Sequence, residues 1–155
     1  MDNITILFVD DEQSILSTLK RLFRREPYHI LTADSGQQGL DILADNPVNI
    51  VISDMRMPHM NGAEFLQQVK GHYPTTKRII MSGYADIEAV VDAVNKGGIC
   101  LFISKPWDND ELKTIIANLV ADMQNQESLQ VQKLKAVINE QLQEINSLKG
   151  RLNKL

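Results

Sequence analysis

Five short apolar runs, most of them followed by a stretch with helical spacing, constrain this chain more than any other feature. The runs fall at about 4–9, 28–33, 48–53, 77–82 and 99–104. They are short and continuously apolar rather than alternating, which suits strands buried on both faces. Between them apolar residues recur one helical turn apart. Ile15, Leu16, Leu19, Leu22 and Phe23 form one stripe; Leu40, Ile42 and Leu43 a second; Phe65, Leu66 and Val69 a third; Val90, Val91 and Val94 a fourth. Breakers separate the two kinds of segment: Pro27, Pro47, Gly71 with Pro74, and Gly97-Gly98. This alternation predicts an α/β fold, a five-stranded doubly wound parallel sheet covered by helices on both faces. At 43% hydrophobic over 155 residues, the chain can furnish the core of one such domain and still carry an appendage.

Sheets of this kind bind ligands beyond the carboxyl ends of their strands, where the strand order reverses. Those ends carry the conspicuous polar residues. Asp10-Asp11-Glu12 follows the first run, and Asp54-Met55-Arg56-Met57-Pro58-His59-Met60-Asn61-Gly62 follows the third. Ser82-Gly83 follows the fourth, and Lys105-Pro106 the fifth. Gathered at one edge, the carboxylates of Asp10, Asp11 and Asp54 repel. Two unit charges 4 Å apart cost about 4 kcal/mol at an effective dielectric near 20. Such a cluster either protonates or takes up a cation, and an open set of oxygen ligands suits Mg²⁺. Lys105 brings a further positive charge, and a cation with a lysine can neutralise a phosphoryl group in transfer. Gly83 is expected to leave room for a phosphodonor beside Ser82. Gly62 is expected to supply the positive φ of a tight turn, which Pro58 would stiffen.

These four elements, in this order and at strand ends, resemble the receiver domain of two-component response regulators, the CheY-like domains, over residues 4 to about 120. The resemblance implies a flavodoxin-like sheet and a set of roles. Asp54 would accept phosphate from a histidine kinase or phosphotransfer protein. Asp11, Asp54 and the backbone carbonyl of Arg56 would hold Mg²⁺, with Asp10 acting through a metal-bound water. Ser82 resembles the switch hydroxyl, Phe102 the switch aromatic, and Lys105 the partner of the phosphoryl oxygens, followed by a cis bond to Pro106. Arg56 and Tyr84 occupy the two positions that influence access of attacking water. One departure is that Ser82 stands where threonine is commoner, which keeps the donor but loses the methyl that stiffens χ1.

Past Pro106 the pattern is that of one extended C-terminal helix, capped by Asp108 or Asn109 and with Asp110 and Glu111 in its first turn. The domain is expected to span 1–123, and 124–155 to form a coiled-coil linker helix. From Val131 a heptad repeat places Val131, Ile138, Ile145 and Leu152 at a, and Leu134, Gln141, Leu148 and Leu155 at d. Branched residues or leucine at a, with leucine at d, predict a parallel homodimer through residues 131–155. Gln141 is the polar exception that could set register. The natural protein is expected to continue into an output domain. An HD-type phosphohydrolase comes first by analogy and a helix-turn-helix second.

The formal net charge of -4 does not suggest a nucleic-acid surface in this segment. Cys100 is the only cysteine, so no internal disulfide can form, which fits a reducing compartment. No secretory signal is visible and no apolar stretch approaches the roughly 18 residues of a membrane span, so a cytoplasmic location is expected. Two other functions compete. A phosphatase with an aspartyl-phosphate intermediate would need a second aspartate two residues after the nucleophile, where Arg56 stands. A dimerisation module that is never phosphorylated would have no use for the acidic set and Lys105. No independent substrate turnover is expected of the chain.

Overall fold

The computed structural model describes residues 3–83, 86–96, 99 and 101–154. The chain divides into two compact units, Met1–Lys113 and Thr114–Leu155. In the first unit, strands β1 (Ile4–Val9), β2 (Tyr28–Ala33), β3 (Ile50–Asp54), β4 (Lys77–Ser82) and β5 (Leu101–Ser104) alternate with helices α1 (Gln13–Leu22), α2 (Gly36–Asp45), α3 (Gly62–His72) and α4 (Ile87–Asn95). The long helix α5 (Asn109–Asn153) begins there and makes up the second unit. All four strand pairings are parallel, and the order is β2-β1-β3-β4-β5. The expected five-stranded, flavodoxin-like doubly wound sheet with an extended final helix is what the chain forms. Among the described residues, no helix is long and apolar enough to cross a membrane.

The strands alternate their apolar residues between two cores. Leu7, Val9, Val51 and Ile80 belong to a buried cluster with Leu43 of α2, Phe65, Leu66 and Val69 of α3, and Val90 and Ala93 of α4. The neighbouring positions Ile6, Phe8, Ile50, Ile52 and Ile79 are equally buried and point to the opposite face, as the period of two requires. There the Phe8 ring lies 5.6 Å from that of Phe23, at the end of α1. Burial on both faces of β1, β3 and β4 explains the apolar runs of these central strands, while β2 and β5 at the edges are more exposed.

The third strand starts at Ile50 rather than 48. Asn49 delays the start of the strand by bridging across: its backbone amide donates to the Thr5 carbonyl at 2.9 Å and its side-chain oxygen accepts from the Thr5 amide at 2.8 Å. The strand order reverses at β1, which lies between β2 and β3. The chain therefore leaves a crevice beyond the carboxyl ends of β1 and β3, where Asp10 and Asp54 stand.

Gly62 differs from expectation. It carries no positive φ; the left-handed residue of this loop is His59, at φ 70°. Gly62 is required by close approach, because a Cβ there would lie 2.2 Å from the Asp54 carbonyl oxygen. Its amide donates to the Met55 carbonyl at 2.8 Å, which draws the head of α3 against the end of β3. Gly62→Ala is therefore expected to destabilise the fold by about 3 kcal/mol, since backbone on both sides must shift. Urea melts of the two proteins check this, and a cost below about 1 kcal/mol would show that the loop yields freely.

Candidate functional site

Each strand end delivers one part of the site. Asp10 follows β1, and its amide donates to the Ala33 carbonyl at 3.1 Å, continuing the sheet one residue further. Its carboxylate is buried, and one oxygen accepts from the Glu12 amide at 2.9 Å. Asp11, the next residue, is exposed. Asp54 ends β3 with its side chain 13% exposed, so it is reachable yet largely withdrawn from water. Asn61 caps α3 with a full capping box: its side chain accepts from the Glu64 amide at 2.8 Å, and the Glu64 carboxylate accepts from the Asn61 amide at 3.4 Å. That cap and the Gly62–Met55 bond fix the loop on which the acidic edge rests.

Lys105 completes the arrangement from β5. Its backbone amide donates to the Ser82 carbonyl at 2.8 Å, tying the ends of β4 and β5 together. The peptide bond from Lys105 to Pro106 is cis, as expected. The ammonium group donates to Asp10 at 3.0 Å and pairs with Asp54 at 3.2 Å. Asp10, Asp11 and Asp54 each offer a carboxylate oxygen, all lying within 4.8 Å of one another. A single lysine does not balance three carboxylates. An all-oxygen donor set with one exposed member fits a hard cation that keeps part of its water, as Mg²⁺ does.

Asp54 and Lys105 also shift one another. Burial pushes the Asp54 carboxyl above the ordinary carboxylate value, Lys105 pulls it back, and the charge of Asp10 pushes it up again. Burial alone would lower Lys105; its hydrogen bond to Asp10 and the charges of Asp10 and Asp54 outweigh this and raise it. A carboxyl raised on folding holds its proton more tightly folded than unfolded. Its stabilising contribution is complete below the unfolded value of 3.8 and is lost as pH rises through the folded one. Lys105 acts at the alkaline end: its contribution is complete below 10.5 and lost above its raised folded value. In chelator, Asp54→Asn is therefore expected to raise the melting temperature at neutral pH, by an amount that shrinks as pH falls toward 3.8. Calorimetry across that range checks it, and a lower midpoint at neutral pH would contradict it.

Ser82, Phe102 and Arg56 lie around this centre. Ser82 is buried at the end of β4, and its hydroxyl donates to Asp86 at 2.9 Å. Phe102 is half-buried against the core cluster of α2, α3 and α4. The Arg56 side chain is 74% exposed, and its guanidinium is ion-paired with Asp86. A cleft of about 490 Å³ opens here, with Arg56 and Asp86 on its walls. Gly83 has open space where a side chain would stand, as expected for access beside Ser82. Tyr84 and Leu155 lie outside the described residues. Asp86 was not singled out from sequence. Four residues past a strand end, it reads only as a helix cap, and its pairing with a residue thirty positions earlier leaves no local signal.

In the second unit α5 runs unbroken through residues 124–128, all of which are polar. Val131, Leu134, Ile138, Ile145, Leu148 and Leu152 are all exposed, and so is Gln141.

The family described as the response regulator receiver domain matches residues 6–117. The chain is 39% identical over 108 residues to the hydrogenase transcriptional regulatory protein HoxA of Cupriavidus necator, covering 70% of this chain and 22% of HoxA. It is 33% identical over 133 residues to the regulatory protein AtoC of Escherichia coli, covering 86% of this chain and 27% of AtoC. It thus spans about a quarter of the length of these relatives. Among solved structures, the receiver domain of an HD domain-containing protein from Pseudomonas fluorescens superposes with a TM-score of 0.77 at 32% identity, covering 83% of this chain and 94% of that one.

Proposed function

The chain belongs to the response regulator receiver family, and from that premise we propose that it is a phosphorylation-controlled switch whose acceptor is Asp54. The observation that carries this reading is the Lys105 ammonium group held between Asp10 and Asp54 inside an acidic cluster. A histidine kinase or phosphotransfer protein would present a phosphohistidine. An Asp54 carboxylate oxygen bonds to phosphorus, the phosphorus–nitrogen bond breaks, and the histidine nitrogen keeps the electron pair. The step uses the carboxylate form of Asp54, and the limited exposure of that side chain keeps competing water away. Asp10, Asp11 and Asp54, with the Arg56 carbonyl, are the groups that would hold Mg²⁺. The ion, when bound, offsets negative charge on the phosphoryl oxygens. Lys105 transfers part of its pairing from the carboxylates to those oxygens. Ser82 gives its hydroxyl hydrogen to the phosphoryl group, and Phe102 turns inward as Ser82 moves. Arg56 and Tyr84 set how fast water reaches the acyl phosphate.

The chain does no other chemistry on its own account, and Arg56 removes the acid that a phosphatase of this type would need. Its readout is α5, in a receiver spanning 1–123 with a linker helix over 124–155. The exposed apolar residues at 131–152 support a parallel homodimer, because an isolated helix with this stripe would leave it wet. Placing aspartate at both Ile138 and Ile145 is expected to weaken that dimer about a hundredfold or more. Sedimentation equilibrium checks this, and unchanged association would move the contact elsewhere. Phosphorylation would rotate or respace the paired helices and pass the change to an output domain. An HD-type phosphohydrolase is supported by the solved relative whose receiver belongs to an HD domain-containing protein. A transcriptional output is supported by HoxA. In either case we assign this acidic segment to the cytoplasm, with no nucleic-acid contact of its own.

The test is sedimentation with and without beryllofluoride and Mg²⁺. The expected result is a change in dimer population or shape on adding both. No change in the wild type would contradict a phosphorylation switch that acts through α5.

A further inference from the structure

Asp86 stands at the head of α4, where an aspartate ordinarily accepts from a backbone amide of the first turn. It makes no such bond. One carboxylate oxygen accepts from the Ser82 hydroxyl at 2.9 Å, and the other is paired with the Arg56 guanidinium. The Asp86 side chain is only 13% exposed and Ser82 is buried, while Arg56 reaches in from the solvent side. It joins the end of β4, the loop after Asp54 and the start of α4. A serine hydroxyl carries one hydrogen and can give it to one acceptor at a time.

We propose that Asp86 is a positioning residue for the phosphoryl reaction, holding the Ser82 hydroxyl and Arg56 in the unphosphorylated arrangement until the phosphoryl group competes them away. This rests on the switch reading given above. The bond to Asp86 must break before Ser82 can donate to a phosphoryl oxygen, so only the fraction of molecules with Ser82 released is ready to bind. Apparent affinity for a phosphoryl group falls by that fraction. Once released, Asp86 is free to rotate onto the uncapped amides of α4, which couples the state of the site to the stability of that helix. The diverted cap is what distinguishes Asp86 from an ordinary helix-start aspartate.

Titration of beryllofluoride in saturating Mg²⁺ tests this on the full chain. Asp86→Ala is expected to bind the analogue about three- to tenfold more tightly than wild type, the worth of one ordinary hydrogen bond. Asp86→Asn, which keeps an acceptor for Ser82 but no charge for Arg56, falls between the two. In a Ser82→Ala background, Asp86→Ala is expected to keep only the smaller share that comes from Arg56, a dependence on Ser82 that a merely structural role would not give. Equal or weaker binding by Asp86→Ala, or an equal gain without Ser82, overturns the proposal. A wild type that binds no beryllofluoride overturns the switch reading as well, an outcome distinct from a binding wild type whose variants are unchanged.

Discussion

Asp54→Asn is expected to abolish phosphorylation outright. In acetyl phosphate and Mg²⁺ the wild type gains one phosphoryl mass, and the variant stays at background over the same time. An amide oxygen is a poor nucleophile toward phosphorus, so the loss is one of chemistry and not merely of affinity. The substitution also removes one of the three clustered carboxylates, so affinity for Mg²⁺ drops together with acceptance. The fold should survive, because an uncharged side chain relieves the repulsion from Asp10 that helps raise Asp54. Loss of labelling in a protein that melts at or above the wild-type temperature is therefore the expected signature. A variant that labels like the wild type would place the acceptor elsewhere.

Lys105→Met is expected to have the second largest effect, and it should show in two measurements. In chelator at neutral pH, Asp10 and Asp54 lose a partner at 3.0 and 3.2 Å. Breaking a fully buried pair costs about 3–5 kcal/mol; with the lysine side chain partly exposed, about 2 kcal/mol is expected here. Acid or Mg²⁺ should restore most of this loss, since each removes the uncompensated charge. Single-turnover transfer from a phosphodonor should also slow by about a hundredfold, the usual consequence of deleting one group aimed at developing charge. Urea melts in chelator and in Mg²⁺, with quenched-flow labelling, make the comparison. If the variant were equally stable with and without Mg²⁺ and labelled at the wild-type rate, Lys105 would be a bystander.

The part of the site that was legible from sequence is the part that backbone topology dictates. A parallel sheet puts all carboxyl strand ends in one row, so Asp10, Asp54, Ser82 and Lys105 had to converge once five strands were recognised. The continuous final helix was legible because no proline follows Pro106 to stop it. What escaped depends on side-chain direction and on close packing. Gly62 was read as a turn glycine, whereas its constraint is the Asp54 carbonyl pressed against it. His59 gave no sign that it would take the left-handed conformation, which asparagine or glycine would normally signal. Arg56 was read as an access residue, and nothing in the sequence signalled its ion pair with Asp86. The strand at 48 began two residues late because Asn49 bonds across to Thr5, a contact between residues distant in sequence that apolar periodicity does not register.

The central claim is that the acidic edge recruits a divalent ion and so makes one aspartate, Asp54, the site of phosphorylation. Peptide mapping by mass spectrometry after acetyl phosphate treatment, with borohydride trapping of any acyl phosphate, tests it most directly. The account predicts a single modified residue, Asp54, in Mg²⁺ and none in chelator. Modification at another aspartate, or equal modification of Asp54 without the metal, would contradict it.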